Sequence, residues 1–471
     1  KEMLQALSLE KKYSKERLLE AYLNLAPCGN TAQGIPAAAR LYFDKSPANL
    51  SPSEAAFLMS LPQAPGALNP YRGLEGARTR RNHLLNRMAA LHSLTGEESE
   101  RARLEPIRLD RRSQLFRAPH FVTQIKAMLP IPPPARVRTT LDLELQTKIE
   151  ALTAQAVAEV KNSSITQAAV VVMDHRTREI LAWVGSVDFF EAREGQNDGV
   201  LAKRQPGSAV KPFTYAAAFD AGLTPAYIVD DSPAEFGLTL GVYKPANYDG
   251  RYHGRVDLRT ALASSLNVPA VKVLARVGLP LVYQQMKAAG LTSLIHEPDY
   301  YGLGLTLGAG EVSLLELTNA YATLASGGVS RPPVMLFGQT VGDEHRAFSA
   351  PAAYLVTDIL GDDAARATGF GRDSLLALPF PAAAKTGTSK NFRDNWTVGY
   401  TSSVVVGVWA GNFDARPMGR VSGITGAGPL WRQVMRLCAA YYPPEPFNRP
   451  EGLAELAVCP ETGLRATEAC P

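Results

Sequence analysis

Gln205-Pro206-Gly207-Ser208-Ala209-Val210-Lys211-Pro212-Phe213 is the stretch around which the rest of the chain is organised. Its Pro-Gly turn opens into residues 208–222, which predict a helix that begins near Ser208 and ends at Gly222. Ser208 and Lys211 would then lie one turn apart on one face, where an amine can reach a hydroxyl and accept its proton. The spacing predicts a serine nucleophile with a lysine base.

The Ser-x-x-Lys spacing is weak by itself, because Ser8-Leu9-Glu10-Lys11 has it inside an ordinary amphipathic segment. Two later motifs change its meaning, and they are Ser265-Leu266-Asn267 and Lys385-Thr386-Gly387-Thr388-Ser389. Taken singly, Ser265 could cap a turn, Lys385 could lie on the surface and Thr388 could be an ordinary strand residue. In this order, however, the three motifs resemble those of the penicillin-interacting serine acyltransferases. Together they predict one catalytic site.

Length and composition indicate a globular protein with two or more domains. The chain has 471 residues, of which 46% are hydrophobic and 20% charged. The net charge of +4 is mild, although arginines concentrate between Arg78 and Arg117. A solvated helix face explains them, and so does contact with an anionic lipid headgroup or glycan carrier. Nucleic acid is not expected as a partner, because no aromatic-interleaved basic stripe or known motif accompanies the arginines.

The cysteines do not predict a metal site. Cys28, Cys438, Cys459 and Cys470 include no Cys-x-x-Cys pair, and no histidines cluster near them. Cys459 and Cys470 bracket a short loop, so they could form a disulfide in an oxidising compartment or remain free thiols.

No apolar run approaches the ~18 residues that span a bilayer. No secretory signal is visible either. Because the chain opens on Lys1-Glu2 rather than Met, we expect that an upstream segment, including a membrane anchor, is missing.

Residues 1–93 have helical periodicity, which a helical bundle without chemistry would explain. Three sequence runs in this part are more specific than the periodicity, and they are Leu18-Leu19-Glu20-Ala21-Tyr22-Leu23-Asn24, Gln33-Gly34-Ile35-Pro36-Ala37-Ala38-Ala39 and Leu61-Pro62-Gln63-Ala64-Pro65. These runs resemble the C-terminal part of the lysozyme-like peptidoglycan glycosyltransferase domain of bifunctional (class A) penicillin-binding proteins. The resemblance makes Glu2 the second of two catalytic acidic residues and places the first before residue 1. One carboxylate cannot fill both roles, so this chain is not expected to polymerise glycan. The resemblance leaves room for a divalent metal in the intact glycosyltransferase domain.

Residues 94–165 are interpreted as a linker and lead-in. Residues 95–134 look irregular and arginine-rich and end in a proline run, whereas residues 141–160 predict a helix. His120 is interpreted as a packed linker histidine rather than a catalytic one. Residues 118–122 and 139–146 resemble the family's entry into its transpeptidase domain.

Residues 166–440 predict an α+β transpeptidase domain. A hairpin of residues 168–174 and 179–184 begins a sheet, and Asp174 should bond backbone at its turn. Residues 395–401 and 404–411 are strand-like, and the Lys385 motif begins the same antiparallel set. A mostly helical insertion, residues 208–329, separates the two halves. The resemblance implies a β-lactamase-like fold, an antiparallel sheet flanked by helices with the site at the seam.

The last part of the chain narrows the resemblance. Phe392-Arg393-Asp394-Asn395-Trp396 and Cys459-Pro460-Glu461-Thr462-Gly463-Leu464 are most similar to the 1C subgroup of penicillin-binding proteins. Residues 441–471 form a tail that stops where this subgroup continues, so we expect truncation at both ends.

The resemblance implies acyl transfer on stem peptides that end in D-Ala-D-Ala. Ser208 would attack the penultimate carbonyl, and Lys211 would be the base if burial and the charge of Lys385 keep its amine neutral. Ser265 would relay a proton to the leaving amine. The backbone N–H groups of Ser208 and Thr388 would form the oxyanion hole.

The remaining motif residues are expected to hold the substrate. Lys385, Thr386 and Thr388 would bind its terminal carboxylate. Asn267 would present its amide to the substrate backbone. Gly387 would let the strand approach the substrate closely.

The expected partners are peptidoglycan stem peptides, lipid II and β-lactams, at the periplasmic face of the bacterial inner membrane. No cofactor is expected for transpeptidation. Two other classes stay open, namely a penicillin-binding sensor or scaffold that acylates without turnover, and a hydrolase of the D,D-carboxypeptidase or β-lactamase type.

Overall fold

The computed structural model describes residues 2–30, 32–71, 73–110, 116–134, 136–160, 163–238, 241–339, 342–371, 374–419, 421–468 and 470. Its contacts divide the chain into two compact units, Lys1–Arg117 and Ala118–Pro471. The first unit is helical, and the second carries an antiparallel sheet flanked by helices, which confirms the predicted fold class. Within the described ranges no helix is both long and apolar enough to cross a membrane.

The first unit packs helices around its own core. The helices are α1 (Glu2–Lys12), α2 (Lys15–Leu25), α3 (Ile35–Phe43), α4 (Pro52–Ser60), α5 (Leu74–Ala90) and α6 (Gly96–Leu104). Ser51 and Glu54 form a reciprocal capping box that begins α4. Tyr42 of α3 and Phe57 of α4 are fully buried in this core.

The prediction of an irregular linker over residues 95–134 is wrong, because this segment contains two helices. Thr95 and Glu98 form a capping box that begins α6, and Pro119 is the first residue of α7 (Pro119–Met128). Several of the arginines lie on α5 and α6, and arginine is a good helix former. His120 is buried in α7, and its Nε2 lies 3.0 Å from the Gly195 carbonyl oxygen, which confirms its packed position.

The described residues of the second unit form the strands β1 (Gln167–Asp174), β2 (Ile180–Val184), β3 (Ile228–Asp231), β4 (Phe236–Leu238), β5 (Gly241–Tyr243), β6 (Gly254–Asp257), β7 (Val329–Ser330), β8 (His345–Arg346), β9 (Ala383–Thr388), β10 (Asp394–Tyr400) and β11 (Val404–Gly411). Five of these strands form the central antiparallel sheet, in the order β2-β1-β11-β10-β9. The predicted hairpin and the late strands are all present. Asp174 accepts the backbone N–H groups of Arg176 and Thr177 at the hairpin turn, as predicted.

Helices cover both faces of this sheet. They are α8 (Leu143–Glu159), α9 (Lys211–Asp220), α10 (Leu258–Ala263), α11 (Asn267–Val277), α12 (Leu279–Ala288), α13 (Pro298–Tyr301), α14 (Leu314–Ala325), α15 (Ala350–Gly361), α16 (Asp363–Phe370) and α17 (Ala427–Tyr441). Along β1, Val171 packs into the core shared with α9 and α14, whereas Val170 and Val172 pack into the core shared with α8 and α17. This alternation follows from the two-residue period of a strand and makes β1 apolar throughout.

The insertion between the two halves of the sheet is mostly helical, as predicted. It also contains two antiparallel ribbons that the sequence did not predict, β3 with β6 and β4 with β5. Each strand has only three or four residues, too few for a recognisable alternation. The first ribbon brings Asp231 close to the segment before α10, which matters for the site.

Candidate active site

The predicted motifs meet at one cavity of about 380 Å³. It is lined by Ser208 of the first motif, Ser265 and Asn267 of the second, and Thr386 and Thr388 of the third. Lys211 and Lys385 are buried beside it and contact Ser265. Residues distant in sequence thus converge as the order of the motifs predicted.

Ser208 lies on a tight turn whose carbonyl groups are tied to the core. The turn is a 3₁₀ helix, Gly207–Val210, that continues into α9, so the predicted helix begins more tightly than expected and ends at Asp220. Trp396 donates its indole N–H to the Gln205 carbonyl oxygen at 2.9 Å. Tyr321 donates its hydroxyl to the Ala209 carbonyl oxygen at 2.6 Å. These two bonds fix the turn on either side of Ser208.

Gly207 brings this turn against the end of β9. Its φ is +55°, and a Cβ there would lie 2.2 Å from the Thr388 carbonyl oxygen. Only glycine fits both the left-handed backbone and the close approach. The contact places the backbone of Ser208 next to that of Thr388, the two residues predicted to form the oxyanion hole.

Lys211 points at the second motif. Its Nζ donates to the Ser265 carbonyl oxygen at 2.6 Å, Asn267 Oδ1 at 2.8 Å and the Leu266 carbonyl oxygen at 3.0 Å. Burial lowers the pKa of Lys211 well below its usual value, and the charge of Lys385 lowers it further. These are the two causes that the sequence predicted for a neutral amine.

Lys385 connects the third motif to the second. Its Nζ donates to Ser265 Oγ at 2.7 Å and to the Thr386 carbonyl oxygen at 2.9 Å. Burial lowers the pKa of Lys385 to about 7, and the buried guanidinium of Arg366 contributes to the shift. Arg366 carries no motif signal, so the sequence did not single it out.

Ser265 lies in a strained conformation between the two lysines. Its φ is +60°, in a region that non-glycine residues rarely adopt. Its backbone N–H donates to the Leu262 carbonyl oxygen at the end of α10. Such strain persists where surrounding contacts overdetermine it and is frequent at functional sites.

The position of Gly387 corrects the reason given for it. A Cβ on Gly387 would lie 2.1 Å from the Pro206 carbonyl oxygen and 2.9 Å from Ala209 Cβ. The side of Gly387 that lacks a side chain therefore faces the turn that carries Ser208, called the nucleophile turn below, and not the cavity. Thr388 also contacts protein, since its Oγ1 accepts the Gly423 backbone N–H at 2.9 Å. Gly387 therefore permits close packing of β9 on the turn.

Sequence comparison assigns this domain to a family. The family described as penicillin binding protein transpeptidase domain matches residues 168–436, more than half of the chain. The chain belongs to the penicillin-binding proteins. A second family, described as transglycosylase, matches residues 1–89 of this penicillin-binding protein. Both matches agree with the resemblance found in the sequence.

Individual relatives support the assignment. Penicillin-binding protein 1C of Escherichia coli (strain K12) is 36% identical over 469 residues, which cover 98% of this chain and 58% of the relative. Penicillin-binding protein 2D of Bacillus subtilis (strain 168) is 28% identical, with 100% of this chain and 71% of the relative covered. The chain thus spans a little more than half the length of the Escherichia coli relative.

Solved structures agree with the fold. The crystal structure of penicillin-binding protein 1A from Haemophilus influenzae matches with a TM-score of 0.74 at 21% identity, covering 98% of this chain and 90% of that one. PonA1 from Mycobacterium tuberculosis, in complex with penicillin V, matches with a TM-score of 0.57 at 25% identity, covering 68% of this penicillin-binding protein and 89% of that chain.

The transglycosylase segment leaves two predictions open. Glu2 is the first residue of α1, but its side chain lies outside the described residues. In the part of the chain that the structure describes, no three His, Cys, Asp or Glu side chains are grouped so that they could hold a metal ion. The roles of Glu2 and of a divalent metal stay predictions.

Proposed function

We propose that this chain is a serine D,D-transpeptidase that cross-links peptidoglycan and is acylated by penicillin. The observation that supports this most is the continuous contact from Lys385 through Ser265 to Lys211, beside the cavity that Ser208 lines. Nucleophile, base and cationic carboxylate-binding group are then all side chains of one site. The reaction needs no cofactor, because the chain itself supplies these groups.

In the proposed acylation, Ser208 Oγ attacks the carbonyl carbon of the penultimate D-Ala while the neutral amine of Lys211 accepts the hydroxyl proton. The resulting ammonium has three N–H donors. Three oxygens lie 2.6 to 3.0 Å from Nζ and accept hydrogen bonds from it. Burial and Lys385 thus favour the neutral amine before the transfer, and these oxygens stabilise the ammonium after it.

The tetrahedral intermediate then collapses and expels the terminal D-Ala. The backbone N–H groups of Ser208 and Thr388 bind the oxyanion. Ser265 donates its proton to the leaving amine and takes up the proton held by the Lys211 ammonium, whose Nζ lies 3.4 Å from Ser265 Oγ. Lys385 and Thr386 bind the terminal carboxylate of the substrate, and the Asn267 amide contacts its backbone. An acceptor amine attacks the acyl-enzyme and releases Ser208.

The proposed site of action is the periplasmic face of the bacterial inner membrane, with lipid II and stem peptides as partners. Membership of the penicillin-binding proteins supports this location, because peptidoglycan is the substrate of their transpeptidase reaction.

Two incubations separate this function from its alternatives. The protein is incubated with a fluorescent penicillin, and separately with a stem pentapeptide and an amine acceptor. We expect labelling and an amide product. Labelling together with release of free D-Ala, but without the amide product, would indicate a carboxypeptidase. Labelling without free D-Ala or amide would indicate a sensor. Hydrolysis of the penicillin would indicate a β-lactamase. Absence of labelling would contradict the proposal.

A further inference from the structure

Asn247 links the second motif to a buried carboxylate that the proposed reaction does not use. Its Oδ1 accepts the backbone N–H of Asn267 at 2.8 Å and that of Val268 at 3.2 Å. Its Nδ2 donates to both carboxylate oxygens of Asp231, at 2.9 and 2.7 Å, and to the Arg251 carbonyl oxygen at 2.8 Å. Asn247 is buried, and Asp231, at the end of β3, has no exposed surface.

Asn247 acts as a helix cap supplied from another part of the chain. The first turn of an α-helix has backbone N–H groups without partners inside the helix. At α11 the N-cap residue is Leu266, whose side chain cannot accept them. Asn247 Oδ1 accepts two of these N–H groups instead. The first belongs to Asn267, two residues after the strained Ser265.

Asp231 and the Arg251 carbonyl oxygen together fix which end of the Asn247 amide faces α11. A carboxylate only accepts hydrogen bonds, so the amide must turn its NH₂ group towards Asp231 and its oxygen towards the helix. Asp231 also accepts the His253 backbone N–H at 2.9 Å. Burial raises the pKa of Tyr215, one turn after Lys211, and the charge of Asp231 raises it further.

The segment that this pair holds carries three of the oxygens around the Lys211 amine. They are the carbonyl oxygens of Ser265 and Leu266 and the side-chain oxygen of Asn267. The Asn267 amide also donates from Nδ2 to the Ala246 carbonyl oxygen at 2.8 Å, the residue before Asn247. A shift of this segment would therefore move the amine that has to reach Ser208.

We propose that Asp231 and Asn247 are positioning residues of the acylation reaction. They fix the start of α11 and hence the place of the Lys211 amine relative to Ser208. Neither residue exchanges a proton with the substrate. This inference rests on the proposed acyl transfer at Ser208.

The test separates binding from chemistry during acylation by a fluorescent penicillin. Stopped-flow measurement gives the dissociation constant of the initial complex and the acylation rate constant. A misplacement of about 1 Å can cost on the order of 100-fold in rate. For Asn247→Ala we therefore expect the acylation rate constant to fall about 100-fold, with the dissociation constant within about threefold of the wild-type value.

Asn412→Ala is the matched control. Asn412 is also buried, and its side chain bonds Thr166 and Arg416. It directly follows β11, which lies two strands away from β9 in the sheet. We expect a comparable fall in Tm and an acylation rate constant within about twofold of wild type. An equal loss of rate in both variants would show a merely structural effect and would overturn the positioning role.

An exchange of the two groups provides the second measurement. Asn247→Asp places a carboxylate against Asp231 and against the Arg251 carbonyl oxygen, so it should be slow. Adding Asp231→Asn removes the first of these two repulsions and keeps an acceptor facing α11. We expect the double variant to regain at least about tenfold in acylation rate over Asn247→Asp. No recovery, or a normal rate in Asn247→Asp, would overturn the inference. Wild-type protein that does not react with penicillin would overturn the proposed function instead.

Discussion

Two lysines buried beside one serine define the chemistry of this molecule at the scale of residues. A lysine in water has a pKa near 10.4, so at pH 7 its free amine is rarer than about one in a thousand. Burial and a neighbouring cation lower the pKa of Lys211, and burial beside Arg366 lowers that of Lys385 to about 7. Below a pH of about 10.4 the unfolded chain binds a proton at each lysine more readily than the folded chain does, and this difference lowers the stability of the folded protein.

Lys385→Met should therefore change how stability depends on pH. Between about pH 7 and pH 10.4 the unfolded chain binds a proton at Lys385 that the folded chain lacks, so wild-type stability rises with pH across this window. The substitution removes that slope, because methionine does not titrate. We expect the Tm of the variant minus that of wild type to be highest near pH 7 and to decrease towards pH 10.

Exposed Lys148, paired with Glu144, is the control for this measurement. Its pKa is raised, so it keeps its proton across the same window in the folded chain. Lys148→Met should show a Tm difference that is flat from pH 7 to about pH 9.5. A flat difference for Lys385→Met as well would mean that Lys385 titrates normally in the folded protein.

At the scale of elements, the site depends on how closely β9 packs against the nucleophile turn. Gly207 and Gly387 allow this contact, because a Cβ on either would lie within 2.2 Å of a backbone oxygen of the other segment. Hydrogen bonds from Trp396 of β10 and Tyr321 of α14 also hold the turn. The packing of these two elements brings Ser208 to Thr388.

Gly387→Ala should separate these elements. The new Cβ would meet the Pro206 carbonyl oxygen, which is backbone and cannot rotate away. We expect a loss of about 1–3 kcal/mol in the free energy of unfolding. Acylation by penicillin should fall by on the order of 100-fold, because the turn and the strand move apart.

Gly237→Ala in β4 is the matched control, since a Cβ there meets no heavy atom within 4 Å. Denaturant unfolding and the acylation rate of this variant should stay near wild type. Normal acylation by Gly387→Ala would contradict the close packing described for β9.

The sequence predicted the parts of the site that its motifs contain. The order of Ser208, Ser265 and Lys385 predicted their convergence, and the strand-like runs of the hairpin and of residues 395–411 predicted the sheet. Asp231, Asn247 and Arg366 act only through tertiary contacts, so no local spacing marks them as partners of the site. The role of Asn247 depends on its hydrogen bonds to Asp231 of β3, which only the fold brings about.

At the scale of the whole molecule, each compact unit has its own hydrophobic core. The cores around the sheet include residues of α7 and α8, which the sequence assigned to a linker and lead-in. Phe121 and Ile125 of α7 and Ile149 of α8 are buried there. Gln146 of α8 bonds both backbone groups of Trp183 in β2, at 2.7 and 2.9 Å, and so covers the edge of the sheet.

Two fragments test this division. Residues 118–471 should fold and react with penicillin, because they retain both cores around the sheet. Residues 168–471 lose the buried side chains of α7 and α8, each worth about 1.5–3 kcal/mol, and should not fold cooperatively. Circular dichroism melts and penicillin labelling check both outcomes. Equal folding of the two fragments would restore the linker interpretation of residues 94–165.

The most direct test of the catalytic site is the position of the covalent adduct. The chain contains two Ser-x-x-Lys spacings, at Ser8 and at Ser208, so each provides a control for the other. After reaction with penicillin and proteolysis, mass spectrometry should locate the added mass on Ser208 alone. Ser208→Ala should carry no adduct, and Ser8→Ala should react like wild type. An adduct on any other residue, or on the Ser208→Ala protein, would contradict the assignment of the nucleophile.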